Sequence, residues 1–153
     1  MYEQEKTAYI EQYRALGPQL YRIAVLVTGR PELGVHAVEN AVIECYRSPD
    51  RAPFPDKIYR FLWQACDSVE PLWGYHYRKS LCAMQGIDVD ADNCPAFIDA
   101  MSKREKEERM VMALLIIAGR TPAQVGPIFD ASEREVKRAI KKICKQMHEN
   151  VLS

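Results

Sequence analysis

Residues 132–147 read SEREVKRAIKKICKQM, and this stretch decides the fold prediction for the chain. Ser132 followed by Glu135 three positions later is the pattern of a capping box, which predicts that a helix begins here. The apolar residues recur at helical spacing and are Val136, Ile140, Ile143 and Met147. The cations between them are Arg134, Lys137, Arg138, Lys141, Lys142 and Lys145. The stretch therefore predicts a helix with one apolar face and one cationic face.

A long helix and a short helix are predicted before the cationic one. The long helix runs over residues 102–118. Thr121 is a favourable N-cap for the short helix, with Pro122 at its first position, and residues 130–131 form a turn after it. A short helix, a tight turn and a capped basic helix in this order predict a helix-turn-helix.

The cationic face has two interpretations. In the first, the helix lies in the major groove of DNA and its cations contact phosphates. In the second, the face is simply solvated, since Lys and Arg are favoured near the C-terminal end of a helix by the helix dipole. The spacing of the residues favours neither interpretation over the other.

Helical periodicity also dominates the first half of the chain. It predicts a helix that ends at Gly17, a second from Pro18 to Gly29 and a third that begins at Pro31. The apolar face of the third helix is predicted to consist of Val35, Val38, Ala41, Val42 and Tyr46. Residues 48–56 hold three prolines and predict a loop, after which helical spacing resumes over residues 58–65.

Residues 86–94, GIDVDADNC, are polar and acidic and lack a helical stripe, which predicts a linker. The expected fold is therefore all-α, with two small helical lobes. The predicted domains are an N-terminal helical domain over residues 1–81, a linker over 82–94 and a helix-turn-helix domain over 95–153.

Charge and composition limit the classes of function. The chain has 21 Lys and Arg against 21 Asp and Glu, so any binding to nucleic acid must rest on a local patch. No glycine-rich phosphate loop, nucleophile elbow or paired catalytic carboxylates can be found in the sequence, and we expect no enzyme activity. The three histidines are far apart and lack partners at ligand spacing, so neither a metal nor a cofactor is expected.

The cysteines and the apolar segments indicate in which cellular compartment the protein is expected. Five cysteines, an odd number with wide gaps, predict reduced thiols and not a disulfide framework. The acidic, aromatic start of the chain is not a signal peptide. The longest apolar stretch, Met110 to Ala118, is about half of what a bilayer span requires. These features predict a soluble cytoplasmic protein with no membrane partner.

Residues 13–47, YRALGPQLYRIAVLVTGRPELGVHAVENAVIECYR, resemble the core-binding segment of extracytoplasmic-function sigma factors, which are bacterial transcription initiation proteins. Residues 58–62, IYRFL, resemble the helix with which that family recognises and opens the minus-ten promoter element. Residues 105–147 are similar to the family's C-terminal helix-turn-helix, which reads the minus-thirty-five element. The likeness covers most of the chain, in the order that the family has.

The resemblance implies that the chain binds core RNA polymerase and promoter DNA, with an anti-sigma protein as a further candidate partner. On this likeness, the residues that contact the polymerase are His36, Glu39, Asn40 and Ile43. The residues that contact DNA from the cationic helix are Arg134, Lys137, Arg138, Lys141 and Lys142.

An aromatic and basic stretch in the first half of the chain offers a second set of DNA contacts. A protein that holds a DNA strand open needs flat rings for unstacked bases and cations for the backbone. The residues offered for this role are Tyr75, Tyr77, Arg78 and Lys79, although core packing is an equally good interpretation for the two tyrosines. Phe61 and Trp63 are predicted to fill the core.

Five positions depart from the family pattern. His36 and Asn40 replace acidic residues of the core-binding helix, and Asp130 replaces the glycine of the turn. Pro127 falls inside the short helix, and Glu135 places an anion on the side that would face phosphates. These departures leave a second hypothesis open, in which the chain is a degenerate sigma-like regulator that acts through protein contacts without binding DNA.

Overall fold

The computed structural model describes residues 2–49, 54–89 and 93–152. Within these ranges every regular element is a helix and there is no strand, which confirms the all-α prediction. The α-helices are α1 (Tyr2–Thr28), α2 (Pro31–Arg47), α3 (Phe54–Asp67), α4 (Gly74–Met84), α5 (Ala96–Met101), α6 (Lys106–Ile116), α7 (Pro122–Val125) and α8 (Glu133–Leu152). A 3₁₀ helix (Gly126–Phe129) follows α7 directly.

The first helix is longer than the sequence predicted. We expected a break between Gly17 and Pro18, but α1 continues through both residues to Thr28. Proline lacks the N–H that would bond to the carbonyl four residues earlier, so one helical hydrogen bond is missing there. The apolar residues that follow it are completely buried (Leu20, Ile23, Ala24 and Val27). Their packing holds the helix in one piece across the proline.

One hydrophobic core connects the first half of the chain with the second. Buried residues of α1, α2 and α3 belong to the same cluster as those of α6 and α8. Trp63 of α3 packs edge-on against Phe129 of the 3₁₀ helix, with 5.2 Å between ring centroids. The Lys106 ammonium donates to the carbonyl oxygen of Asp67 at 2.7 Å. Residues before and after the predicted linker are thus packed together.

The predicted linker is partly helical and partly packed. It was expected to begin at residue 82, but α4 extends to Met84. Ile87 and Val89 then pack against the hydrophobic core. Residues 90–92, the most acidic part of the linker, lie outside the described residues. Helix α5 (Ala96–Met101), which the sequence did not predict, follows and covers part of α8.

Arg109 of α6 is completely buried at the meeting point of these elements. Its guanidinium donates to four backbone carbonyl oxygens, which belong to Val27, Leu72, Met101 and Ser102, at 2.8–3.2 Å. It also stacks on the Tyr77 and Trp73 rings, at 4.0 and 4.7 Å from their centroids. Burial lowers the pKa of this guanidinium, which remains a strong donor at neutral pH. One side chain thus joins α6 to the end of α1, to the segment before α4 and to the end of α5.

The predicted boundaries of the C-terminal helices are partly correct. Thr121 caps α7, where its Oγ1 accepts from the backbone N–H of Gln124 at 3.3 Å. Ser132 caps α8, where its Oγ accepts from the backbone N–H of Glu135 at 3.1 Å. The helix predicted over residues 102–118 is shorter and runs from Lys106 to Ile116, because a capping box between Glu105 and Glu108 starts it later.

Candidate nucleic-acid interface

The cations of α8 form a continuous exposed surface, here called the cationic face. Arg134, Lys137, Arg138, Lys141, Lys142 and Lys145 are all exposed. At 100° per residue these six positions fall within an arc of roughly 140° on one side of the helix. In the described part of the chain, none of the six side chains is buried against another element. Five of the six are residues that the sequence assigned to DNA contact.

The opposite side of α8 fixes the helix on the body of the protein. Val136 and Ile143 are buried, and Ile140 and Met147 pack against the same core. The Arg104 guanidinium donates to the amide oxygen of Gln146 at 2.5 Å. The cationic face is therefore presented outward by a helix that is anchored along most of its length.

A tight turn sets the direction in which α8 leaves the 3₁₀ helix. Asp130 has φ 54 and ψ 39, the left-handed conformation that a glycine commonly takes at such a turn. The backbone N–H of Ala131 donates to the Gly126 carbonyl oxygen at 2.9 Å. A Cβ atom on Gly126 would lie only 2.5 Å from the Ala131 carbonyl oxygen, so the turn needs a residue without a side chain there.

The carboxylates beside the cationic face have structural roles. Glu133 pairs with Lys137 at 3.2 Å, and both side chains are more than half exposed, so the pair is weak and can open. A Glu135 carboxylate oxygen accepts from the Ser132 hydroxyl at 3.1 Å, which completes the cap of α8. Glu135 therefore lies at the end of the helix and not in the middle of the cationic face.

The aromatic and basic stretch is only partly accessible, and Tyr77 corrects the sequence prediction. Tyr77 is completely buried, and its hydroxyl donates to the Leu26 carbonyl oxygen at 2.6 Å. Burial raises the pKa of this phenol, and the ring cannot reach DNA. Tyr75 is 42% exposed, with the Lys79 ammonium 6.0 Å from its ring centroid. Arg78 lies 3.7 Å from the Asp99 carboxylate of α5.

The four residues of α2 assigned to polymerase contact lie together on the surface. His36, Glu39, Asn40 and Ile43 are all exposed. Val35 and Tyr46, which were predicted to face the core, are instead 53% and 41% exposed. Val38 and Ala41 are buried as predicted. Helix α2 therefore presents an outer surface of mixed apolar and polar side chains, here called the α2 face.

Two grooves adjoin these surfaces. One of about 310 Å³ lies between α2 and α3, with Asn40 at its edge. The other, of about 360 Å³, lies between α6 and α8, where Lys142 and several glutamates surround apolar side chains. The sequence predicted neither groove, because each depends on how two separate helices pack against one another.

The structure was also searched for a metal-ion site and for a membrane-spanning helix. In the described parts of the chain, no group of three or more His, Cys, Asp or Glu side chains is arranged to hold a metal ion. Among the described helices, none combines the length and apolar character that crossing a bilayer requires.

Comparison of the chain with models of known protein families, with curated proteins and with solved structures gives no match.

Proposed function

We propose that this chain is a sigma-factor-like transcription initiation protein that binds DNA through the cationic face of α8 and core RNA polymerase through the α2 face. The observation that carries the proposal is the exposure of Arg134, Lys137, Arg138, Lys141 and Lys142 on one side of an anchored helix. An α-helix with such a face fits the major groove of DNA and places its cations near phosphates.

Two departures from the sigma-factor pattern are compatible with this function. Asp130 adopts the left-handed backbone that the turn needs, so the loss of glycine there does not prevent the turn. Pro127 occupies an early position of the 3₁₀ helix, where the fixed φ of proline is compatible with the helical backbone. Neither substitution therefore argues against the proposal.

Removal of two cations from the centre of the cationic face tests the proposal. We expect the double variant Lys137→Ala/Arg138→Ala to weaken binding to a short mixed-sequence DNA duplex about tenfold or more at low salt, because two phosphate contacts are lost. The dependence of the logarithm of affinity on the logarithm of salt concentration should become shallower by about two units. Fluorescence anisotropy at several salt concentrations measures both quantities.

A matched variant separates the cationic face from the overall charge. Arg14 and Arg22 are exposed cations on α1, far along the chain from α8. Arg14→Ala/Arg22→Ala removes the same charge and should leave DNA affinity within about twofold of the wild-type value, since no phosphate contact is lost. Equal losses in both double variants, or no loss in either, would refute the assignment of α8 to DNA.

A second candidate function is supported by the α2 face and by the zero net charge of the chain. A regulator that acts only through protein contacts needs an exposed surface with apolar side chains, and Val35, Ile43 and Tyr46 provide one. Such a protein would bind the polymerase without binding DNA. The cationic face would then serve solubility alone.

Capture of purified core RNA polymerase by the immobilised chain distinguishes these functions when it is combined with the DNA measurement. Both candidates predict capture by the wild-type chain and at least a tenfold loss in the variant Ile43→Asp, which puts a charge into an apolar contact. Ala123 of α7 is also exposed but lies outside the α2 face, so it serves as the control. The variant Ala123→Asp should retain capture of the polymerase. Capture without DNA binding would favour the regulator, and absence of capture would refute both.

A further inference from the structure

Two cysteines that are distant in the sequence are in contact. Cys82 lies in the last turn of α4, and Cys94 lies just before α5. Their Sγ atoms are 3.6 Å apart, although the residues are separated by 12 positions. A disulfide needs the two sulfurs at about 2.05 Å, so they would have to approach by about 1.5 Å to bond. The remaining cysteines, Cys45, Cys66 and Cys144, lie on α2, α3 and α8.

The two thiols differ in access, which gives them different chemical roles. Cys82 is completely buried, whereas Cys94 is partly exposed, so a reagent from solution reaches Cys94 first. The Sγ of Cys94 also lies 3.6 Å from the carbonyl oxygen of Pro95. This arrangement matches an attacking thiol at the surface with a resolving thiol behind it.

We propose that Cys82 and Cys94 form a reversible intrachain disulfide by exchange with a small-molecule disulfide, and that this bond fastens the start of α5 to the end of α4. The Cys94 thiolate attacks one sulfur of the small disulfide, forms a mixed disulfide and releases one thiolate. The Cys82 thiol loses its proton, attacks the Cys94 sulfur and releases the second small thiolate. The protein thiols are oxidised by two electrons, and the small disulfide is reduced by two.

The surroundings of Cys94 set the rate of this exchange. Burial, contact with Cys82 and the nearby Asp99 carboxylate raise the pKa of the Cys94 thiol to about 11, against the opposing effect of Arg78. Only a small fraction is thiolate at neutral pH, so the reduced pair exchanges slowly there. Between pH 7 and pH 9 the rate should rise about tenfold for each pH unit, because the thiolate fraction rises in that proportion below the pKa.

The position of the pair gives the bond a structural effect. Ile87 already donates its N–H to the Cys82 carbonyl oxygen at 2.9 Å, and Arg78 of α4 lies beside Asp99 of α5. The disulfide would close the chain from Cys82 to Cys94 into a covalent ring. Helix α5 also packs on α8, so the bond would restrict the connection between the N-terminal helices and the cationic face. The inference does not depend on the proposed function.

Oxidised glutathione and the intact, folded chain test the inference. After incubation at pH 8, acid quenching and mass spectrometry, we expect a product lighter by two hydrogens, and peptide mapping should join Cys82 to Cys94. Dithiothreitol should restore the starting mass. If the native chain shows no such product, or if the bond forms only after denaturation with urea, the inference is wrong.

Single cysteine variants show which thiol attacks the small disulfide and which thiol resolves the mixed disulfide. Cys82→Ala should stop at a stable mixed disulfide on Cys94, and Cys94→Ala should lose the crosslink without gaining a modification at Cys82. Cys144→Ala removes the exposed thiol of α8 and should leave the yield and the rate of the crosslink unchanged. A crosslink that includes Cys144, or one that survives Cys94→Ala, would overturn the assignment. The wild-type result stands by itself if the Cys82 variant fails to fold.

Discussion

Replacing Arg109 with methionine is expected to lower the free energy of unfolding by about 3 kcal/mol or more, because buried carbonyl oxygens would lose their donors. Methionine fills a similar volume with an unbranched chain but offers no hydrogen. The Val27 carbonyl oxygen, which accepts from Arg109 at 3.1 Å, shows why. In a continuous helix its partner would be the N–H of residue 31, which is a proline and has none.

Chemical denaturation followed by circular dichroism measures this change. Arg134→Met provides the matched control, because the same substitution on the exposed cationic face should shift the free energy of unfolding by less than about 0.5 kcal/mol. Arg109→Lys should recover only part of the loss, since a single ammonium cannot reach four carbonyl oxygens in the plane of a guanidinium. Equal stability of Arg109→Met and the wild type would contradict the role given to this residue.

Replacing Gly126 with alanine is expected to lower the free energy of unfolding by about 1–3 kcal/mol, as overpacking in a tight site does. The added Cβ would meet the Ala131 carbonyl oxygen at 2.5 Å, and this oxygen belongs to backbone that cannot rotate away. The turn between the 3₁₀ helix and α8 would have to open. Since that turn directs the cationic face, we also expect DNA affinity to fall in the fraction of chains that remain folded.

Gly17→Ala adds the same methyl group where, apart from the adjacent residues and the backbone of α1 itself, no atom lies within 4 Å. Gly17 is inside α1, where alanine is the better helix former, but a Cβ there is crowded by the ring of Pro18. These opposing effects should keep the change in the free energy of unfolding below about 1 kcal/mol. Thermal unfolding of both variants provides the comparison. If Gly126→Ala melts at the temperature of Gly17→Ala, the close approach at Gly126 has no energetic importance.

The helices of the chain were predictable where local signals agree. Ser132 with Glu135 and Thr121 with Pro122 mark helix starts that the structure confirms, because a cap depends only on residues within one turn. The break predicted at Pro18 was wrong, since burial of the following residues outweighs the loss of one hydrogen bond. Helix α5 was missed because six residues carry too little periodicity to predict an element.

The candidate site was predictable to the same extent. The cationic face follows from the spacing of residues along a single helix, so all five of its assigned cations are exposed as expected. Tyr77 was offered for DNA contact because it stands beside Arg78 and Lys79 in the sequence, with core packing as an equal alternative. The structure buries it beneath Arg109, a residue from another helix whose approach no local pattern reveals.

Local patterns in the sequence are enough to predict the all-helical class, the caps of α7 and α8 and the two-sided character of α8, because each depends on residues that are close in the chain. Long-range packing, in contrast, fixes which side of α2 faces outward, which carbonyl groups the Arg109 guanidinium reaches and that Cys82 contacts Cys94. These are contacts between distant segments. Their geometry depends on how whole helices pack, and the spacing of residues within any one helix does not contain it.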